Sequence, residues 1–155
     1  MPFVLDNSVV TGWYLSGQST DYTQAIATCL ETDKALVPQL WQLELANVLK
    51  TACTRGRLTQ ALARQILDTL AQLPIDVDAG APPGQRQLFE LAMRFDLSSY
   101  DAAYLELAMR HGVPLATQDQ ALRLAAQAAG VDLLQAPPLA NLGTKKPANK
   151  PPGAP

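Results

Sequence analysis

A helix and a short strand follow one another in residues 98–119, SSYDAAYLELAMRHGVPLATQD. Ser98 or Ser99 is suited to cap the start of the helix, and Gly112 stands just past its end. The apolar stretch PLAT at 114–117 predicts a buried strand, and Asp119 follows it. Short strands alternate with longer amphipathic helices through the rest of the chain too. This alternation predicts an α/β fold, a three-layer α/β/α sandwich around a parallel sheet.

Five short apolar stretches are predicted to be the strands of that sheet: residues 3–5, 35–38, 75–77, 114–117 and 131–134. Helices are predicted between them, at about 8–15, 21–32, 40–55, 59–73, 82–95, 98–110 and 120–129. We expect a single domain over residues 1–138. The remaining residues, 139–155, are rich in Pro, Lys and small residues and bury too little apolar surface to fold, so we expect a disordered tail.

The charge of the chain is unevenly distributed. The net charge is −2, but residues 141–155 carry three lysines and no acid, which leaves residues 1–140 with a net charge of −5. A simple nucleic-acid binder presents a basic surface, so a nucleic-acid role has to explain the acidic residues. A group of carboxylates that holds divalent cations would explain them. No stretch has the roughly 18 apolar residues of a membrane span, and the first residues do not resemble a signal peptide. We therefore expect a cytoplasmic protein.

Two acidic residues stand at the ends of predicted strands. Asp6 follows the strand FVL, and Asp119 follows PLAT. Ligands of open parallel sheets bind beyond the carboxyl ends of the strands, so both carboxylates are candidates for a site at that edge. Each residue could instead cap the helix that follows it. Asp101 has a similar alternative, because it completes a capping-box pattern with Ser98.

Glu44 is a candidate for a different reason. Helical spacing places it on the same face as Leu40, Trp41 and Val48. A carboxylate in an apolar stripe is costly to bury unless a cation or hydrogen bonds compensate, although a boundary position that reaches water is the alternative. If the four acids converge, they repel one another, and hard divalent cations with oxygen ligands relieve that repulsion. Mg²⁺ is the predicted cofactor, with Mn²⁺ as its substitute.

Four segments resemble the successive motifs of PIN-domain ribonucleases, and within that family those of the VapC toxins of bacterial toxin–antitoxin pairs. The segments are VLDNS at 4–8, LELANVL at 43–49, LSSYDAAYLELA at 97–108 and LATQDQAL at 115–122. The resemblance covers about residues 3–135. It implies a parallel sheet of strand order 3-2-1-4-5, in which strands one and four are neighbours and bring the four acids together.

The resemblance also implies roles for individual residues. Asp6, Asp101 and Asp119 would be metal ligands, and Glu44 would complete the catalytic acidic pocket. Polar residues would support that pocket at Asn7, Ser8 and Thr117. The implied activity is metal-dependent hydrolysis of RNA phosphodiester bonds, and the implied partners are a VapB-like antitoxin and a second copy of the chain, as a homodimer.

Two other functions compete with a toxin. The first is a PIN-domain ribonuclease of RNA processing or turnover that has no antitoxin. The second is a non-catalytic signalling or binding module with a doubly wound fold, such as a receiver domain. A receiver needs a lysine late in the domain, and this chain has none between Lys50 and Lys145.

A basic stretch of the chain consists of Lys50, Arg55, Arg57 and Arg64. It could bind the RNA backbone, or it could be a solvated helix surface.

Overall fold

A computed structural model of the chain describes residues 1–137. The tail predicted for residues 139–155 lies outside these described residues. None of the helices in the described part has the length and apolarity to cross a membrane.

Four strands and seven helices alternate along residues 1–137. The strands are β1 (Phe3–Leu5), β2 (Ala35–Val37), β3 (Ile75–Val77) and β4 (Leu115–Ala116). The helices are α1 (Asn7–Tyr14), α2 (Asp21–Cys29), α3 (Leu40–Thr54), α4 (Gln60–Leu70), α5 (Gln85–Phe95), α6 (Ser99–His111) and α7 (Gln120–Ala128). The predicted α/β class is confirmed, while predicted helix ends differ from these by a few residues.

The strands form one parallel sheet in the order β3-β2-β1-β4. The adjacency of β1 and β4 agrees with the expected order, but the prediction of five strands was wrong. Residues 131–134 contribute a single parallel bridge, between Leu133 and Leu115, in place of a fifth strand. Because β4 is only two residues long, only Leu115 pairs with this segment at the outer edge of the sheet. Its N–H donates to the carbonyl oxygen of Asp132, and its carbonyl oxygen accepts from the N–H of Leu134.

The centre of the sheet is apolar on both faces. Every residue of β1 is buried, as in a central strand covered by helices on each side. Helix α6 packs against β1 and β4, and α5 and α7 pack against α6. Residues Ala102–Ala108 of α6 are all buried, which explains why the sequence of this helix is apolar around most of its circumference.

Helices α1 and α2 approach closely at Gly12. A Cβ atom at this position would lie 2.6 Å from Cγ2 of Thr23 and 2.9 Å from the carbonyl oxygen of Gln18. Only glycine allows this approach, which holds α1 and its first residues, Asn7 and Ser8, at the edge of the sheet.

Candidate active site

Asp6 is the most buried acid of the candidate site, with 5% of its surface exposed. It follows β1, and its backbone N–H continues the pairing with β4 by donating to the carbonyl oxygen of Ala116. Its Oδ2 accepts hydrogen bonds from the hydroxyls of Ser8 (2.6 Å) and Thr117 (2.7 Å). Burial raises the pKa of the Asp6 carboxyl above its ordinary value, and the two hydroxyls oppose that rise. Asp6 occupies the N-cap position of α1, but its side chain makes no cap hydrogen bond to that helix.

Asp119 lies just past the end of the neighbouring strand, β4. Its Oδ1 accepts a hydrogen bond of 2.8 Å from the N–H of Leu122, so it does cap α7. Its own N–H donates to the hydroxyl of Thr117 at 3.0 Å. Because that hydroxyl also donates to Asp6, Thr117 connects the acids at the ends of β1 and β4.

Glu44 projects from α3 and is half-buried. Its Oε1 accepts a 2.6 Å hydrogen bond from the hydroxyl of Tyr104, a fully buried residue of α6. Burial raises the pKa of Glu44 most, and the charges of Asp6 and Asp101 raise it further, while the bond from Tyr104 opposes the rise. Glu44 is therefore held toward the other acids by a side chain from a different element.

Asp101 stands in the first turn of α6. The cap of this helix is Ser98, whose hydroxyl accepts from the N–H of Asp101 at 3.1 Å. Burial raises the pKa of the Asp101 carboxyl, and the charges of Asp6 and Asp119 raise it further. Each acid thus either raises the pKa of another acid or has its own pKa raised by one. We call the set of Asp6, Glu44, Asp101 and Asp119 the acidic cluster.

The family of the chain follows from comparison with known proteins. The family model of the PIN domain matches residues 3–128. The chain belongs to the PIN-domain family. Its fold is similar to the crystal structure of PAE2754 from Pyrobaculum aerophilum, with a TM-score of 0.59 and 22% identity over 81% of this chain and 87% of that one. No curated protein matches the sequence significantly.

PIN domains are typically metal-dependent nucleases, so the acidic cluster is the candidate site for a divalent ion. Within residues 1–137, no three His, Cys, Asp or Glu side chains are grouped so that they could ligate one ion together. Oε1 of Glu44 accepts a hydrogen bond from Tyr104, and Oδ1 of Asp119 accepts one from the N–H of Leu122. Two of the carboxylate oxygens are therefore already hydrogen-bonded within the protein. Mg²⁺ commonly takes one or two protein carboxylates and completes its shell with water and substrate phosphate. The all-oxygen cluster fits a hard ion bound in that way.

Two polar residues next to the cluster, Tyr104 and Gln118, were not predicted from the sequence to support it. Tyr104 lies three residues after Asp101 in α6, and its bond to Glu44 joins residues 60 positions apart. Gln118 donates from its backbone N–H and its side chain to Ser8, and its Oε1 accepts from Thr20. Asn7 is buried, and its Oδ1 has no partner among the described residues. The family resemblance implies Asn7 as a support of the pocket.

The basic stretch lies apart from these contacts. Lys50 and Arg64 line a groove of about 440 Å³ between α3 and α4, together with Leu49, Cys53 and Ala63. No member of the acidic cluster lines this groove.

Proposed function

We propose that this PIN domain is a Mg²⁺-dependent endoribonuclease and a toxin of the VapC type. The observation that carries the nuclease is the acidic cluster. It concentrates acidic groups around the buried carboxylate of Asp6. Burial raises the pKa of Asp6, Glu44 and Asp101, and repulsion from neighbouring acids raises the pKa of Glu44 and Asp101 further. Such an arrangement is unfavourable for folding alone, and a bound cation would compensate for it.

Under this proposal, Asp6, Asp101 and Asp119 would hold the ion, one or two of them directly and the rest through water, and Glu44 would complete the pocket. Bound Mg²⁺ supplies Lewis-acid chemistry, since it makes water more acidic and offsets the charge on a phosphate. The chain contributes orientation. Ser8 and Thr117 hold Oδ2 of Asp6, and Tyr104 holds Glu44, so that few carboxylate rotamers remain to be ordered when substrate binds.

The nuclease proposal is tested by Asp6→Asn and Asp101→Asn, each of which removes one charge while nearly conserving volume. Both should abolish Mg²⁺-dependent cleavage of total RNA and leave the circular dichroism spectrum unchanged. Asp68→Asn is the matched control, because Asp68 is an exposed acid of α4 outside the cluster. Full cleavage by either cluster variant would refute the assigned roles, as would equal loss in the control.

The toxin proposal rests on the resemblance of the four motifs to VapC proteins, and it adds a VapB-like antitoxin that covers the site. Expression of the chain should arrest growth, and the product of a neighbouring small gene should relieve the arrest. Expression of the Asp6→Asn variant should not arrest growth. Cleavage in vitro without growth arrest would instead favour a processing or turnover ribonuclease that has no antitoxin.

A homodimer is also part of the proposal. Two large apolar side chains project from α5 one turn apart, with 58% of Phe89 and 68% of Met93 exposed. Adjacent apolar groups of this kind favour a protein partner. Light scattering should give the mass of a dimer, and Phe89→Glu with Met93→Glu should shift it to a monomer; an unchanged mass would show that α5 is not the interface.

A further inference from the structure

Arg123 lies beside the acidic cluster without belonging to it. It stands one turn after Asp119 in α7, and its Nη1 donates to the carbonyl oxygen of Thr117 at 3.2 Å. The hydroxyl of the same threonine donates to Asp6. The guanidinium therefore lies at the carboxyl end of β4, the edge of the sheet where Asp6 and Asp119 meet.

An aromatic ring holds the guanidinium in place. Its central carbon lies 5.8 Å from the ring centroid of Tyr22, in a cation–π arrangement. The Tyr22 hydroxyl donates to the carbonyl oxygen of Leu134 at 3.1 Å, so the ring is itself anchored. Arg123 is thus oriented before any ligand arrives.

The charge of Arg123 is not neutralised within residues 1–137. The ion pairs of these residues involve the N-terminus, Lys34, Arg110 and His111, and Arg123 joins none of them. It is half-buried, and a cation partly withdrawn from water without a counter-ion is unfavourable. Repulsion between the acidic cluster and a polyanionic substrate also has to be offset locally, because residues 1–140 carry a net charge of −5.

We infer that Arg123 binds a phosphate group of single-stranded RNA next to the acidic cluster. A guanidinium has five N–H donors in a planar fork, and the bond to Thr117 uses one of them. The others suit two oxygens of a phosphate, a geometry that lysine cannot reproduce. The inference rests on the proposed ribonuclease activity and adds a residue that positions the substrate on the Asp119 side of the site.

The test compares Arg123→Gln, Arg123→Lys and wild type. Glutamine loses the charge but keeps an amide that can donate to Thr117, and lysine keeps the charge but loses the fork. Arg94→Gln is the matched control, since Arg94 is exposed on α5 and lies over the ring of Phe95 at 5.1 Å. The probe is a fluorescein-labelled RNA of about 20 nucleotides, a length that exceeds a single-strand binding site. Its anisotropy is measured in EDTA so that the RNA stays intact.

Arg123→Gln should weaken binding by about tenfold or more. It should also lower the slope of log K against log salt by about 0.7, one phosphate contact on a single strand. Arg123→Lys should keep the slope and recover part of the affinity, and Arg94→Gln should match wild type. With Mg²⁺ present, Arg123→Gln should raise KM more than it lowers kcat.

Wild-type affinity and salt slope in Arg123→Gln would overturn the inference, and a lowered melting temperature alone would make Arg123 a brace between α7 and Tyr22. A different result would refute the proposed nuclease activity without refuting the phosphate site. If wild type binds the RNA but does not cleave it, and Arg123→Gln still weakens binding, the phosphate site stands without the nuclease. If wild type does not bind the RNA at all, the phosphate site is refuted too.

Discussion

At the scale of single residues, the acidic cluster depends on hydroxyl groups that hold its carboxylates. The shortest of these contacts are made by Tyr104 to Glu44 and by Ser8 to Asp6, both 2.6 Å. Hydrogen bonds to charged groups are stronger than neutral ones, and their loss affects both stability and the orientation of the carboxylate.

Tyr104→Phe should therefore cost about 1–2 kcal/mol of unfolding free energy. By the same change, Mn²⁺ affinity should fall by roughly tenfold or more, because Glu44 is no longer oriented. Urea denaturation and calorimetric titration measure the two effects. Tyr14→Phe is the matched control: the Tyr14 hydroxyl is buried without a partner among the described residues, so its removal should be neutral or stabilising. Equal losses in both variants would argue against a specific role for Tyr104.

The raised pKa of Glu44 predicts a pH dependence of stability. When the pKa of a carboxyl is higher in the folded than in the unfolded state, its ionised form destabilises the fold above the folded pKa. That cost disappears as the pH falls through the folded pKa toward the ordinary value of 4.5. In EDTA, Glu44→Gln should melt higher than wild type by on the order of 2 °C near neutral pH. The difference should shrink as the pH is lowered, and a difference that grew on acidification would contradict the assigned direction.

At the scale of the elements, two helices begin at the site. The N-terminus of α6 presents Asp101 and that of α7 presents Asp119, next to the end of β4. The positive end of a helix dipole favours negative charge, which makes helix starts suitable places for carboxylates. From sequence, capping and metal binding were alternatives for Asp119, but its Oδ1 caps α7 while Oδ2 remains for another contact.

Two substitutions separate these roles of Asp119. Asparagine caps a helix as well as aspartate does, so Asp119→Asn should keep the stability of wild type within about 0.5 kcal/mol. Asp119→Ala should lose about 1 kcal/mol. Both variants should lose Mg²⁺-dependent RNA cleavage by roughly a hundredfold or more, because both lack the charge. Full activity in Asp119→Asn, measured beside its melting curve, would leave Asp119 with the cap alone.

At the scale of the whole molecule, the fold brings together negative charge that is costly without a counter-ion. A cation that binds only the folded state should therefore stabilise the protein. At a concentration a hundred times its Kd, Mg²⁺ should add about 2.7 kcal/mol to the unfolding free energy. This stabilisation should be nearly absent in Asp101→Asn and unchanged in Asp68→Asn. Scanning calorimetry with and without Mg²⁺ measures it, and an equal shift in all three proteins would indicate nonspecific screening.

The α/β class, the positions of most elements and the candidate acids could all be predicted from the sequence. These features depend on local signals, namely short apolar strands, amphipathic periodicity and helix caps, which act within a few residues of one another. The resemblance of the motifs to those of PIN domains also predicted the order of the four strands that the structure contains.

Which side chains meet could be seen only in the folded protein. Thr117 and Asp6 are 111 positions apart, and no local rule predicts that one hydroxyl would join the ends of two strands. Residues 131–134 have the composition of a strand, but the two residues of β4 leave them a single bridge. The same holds for Arg123, which reads in the sequence as an ordinary helix residue but contacts Tyr22 of α2 and Thr117, just past β4. Packing between distant elements sets such contacts, because it depends on the shapes of all the surfaces at once.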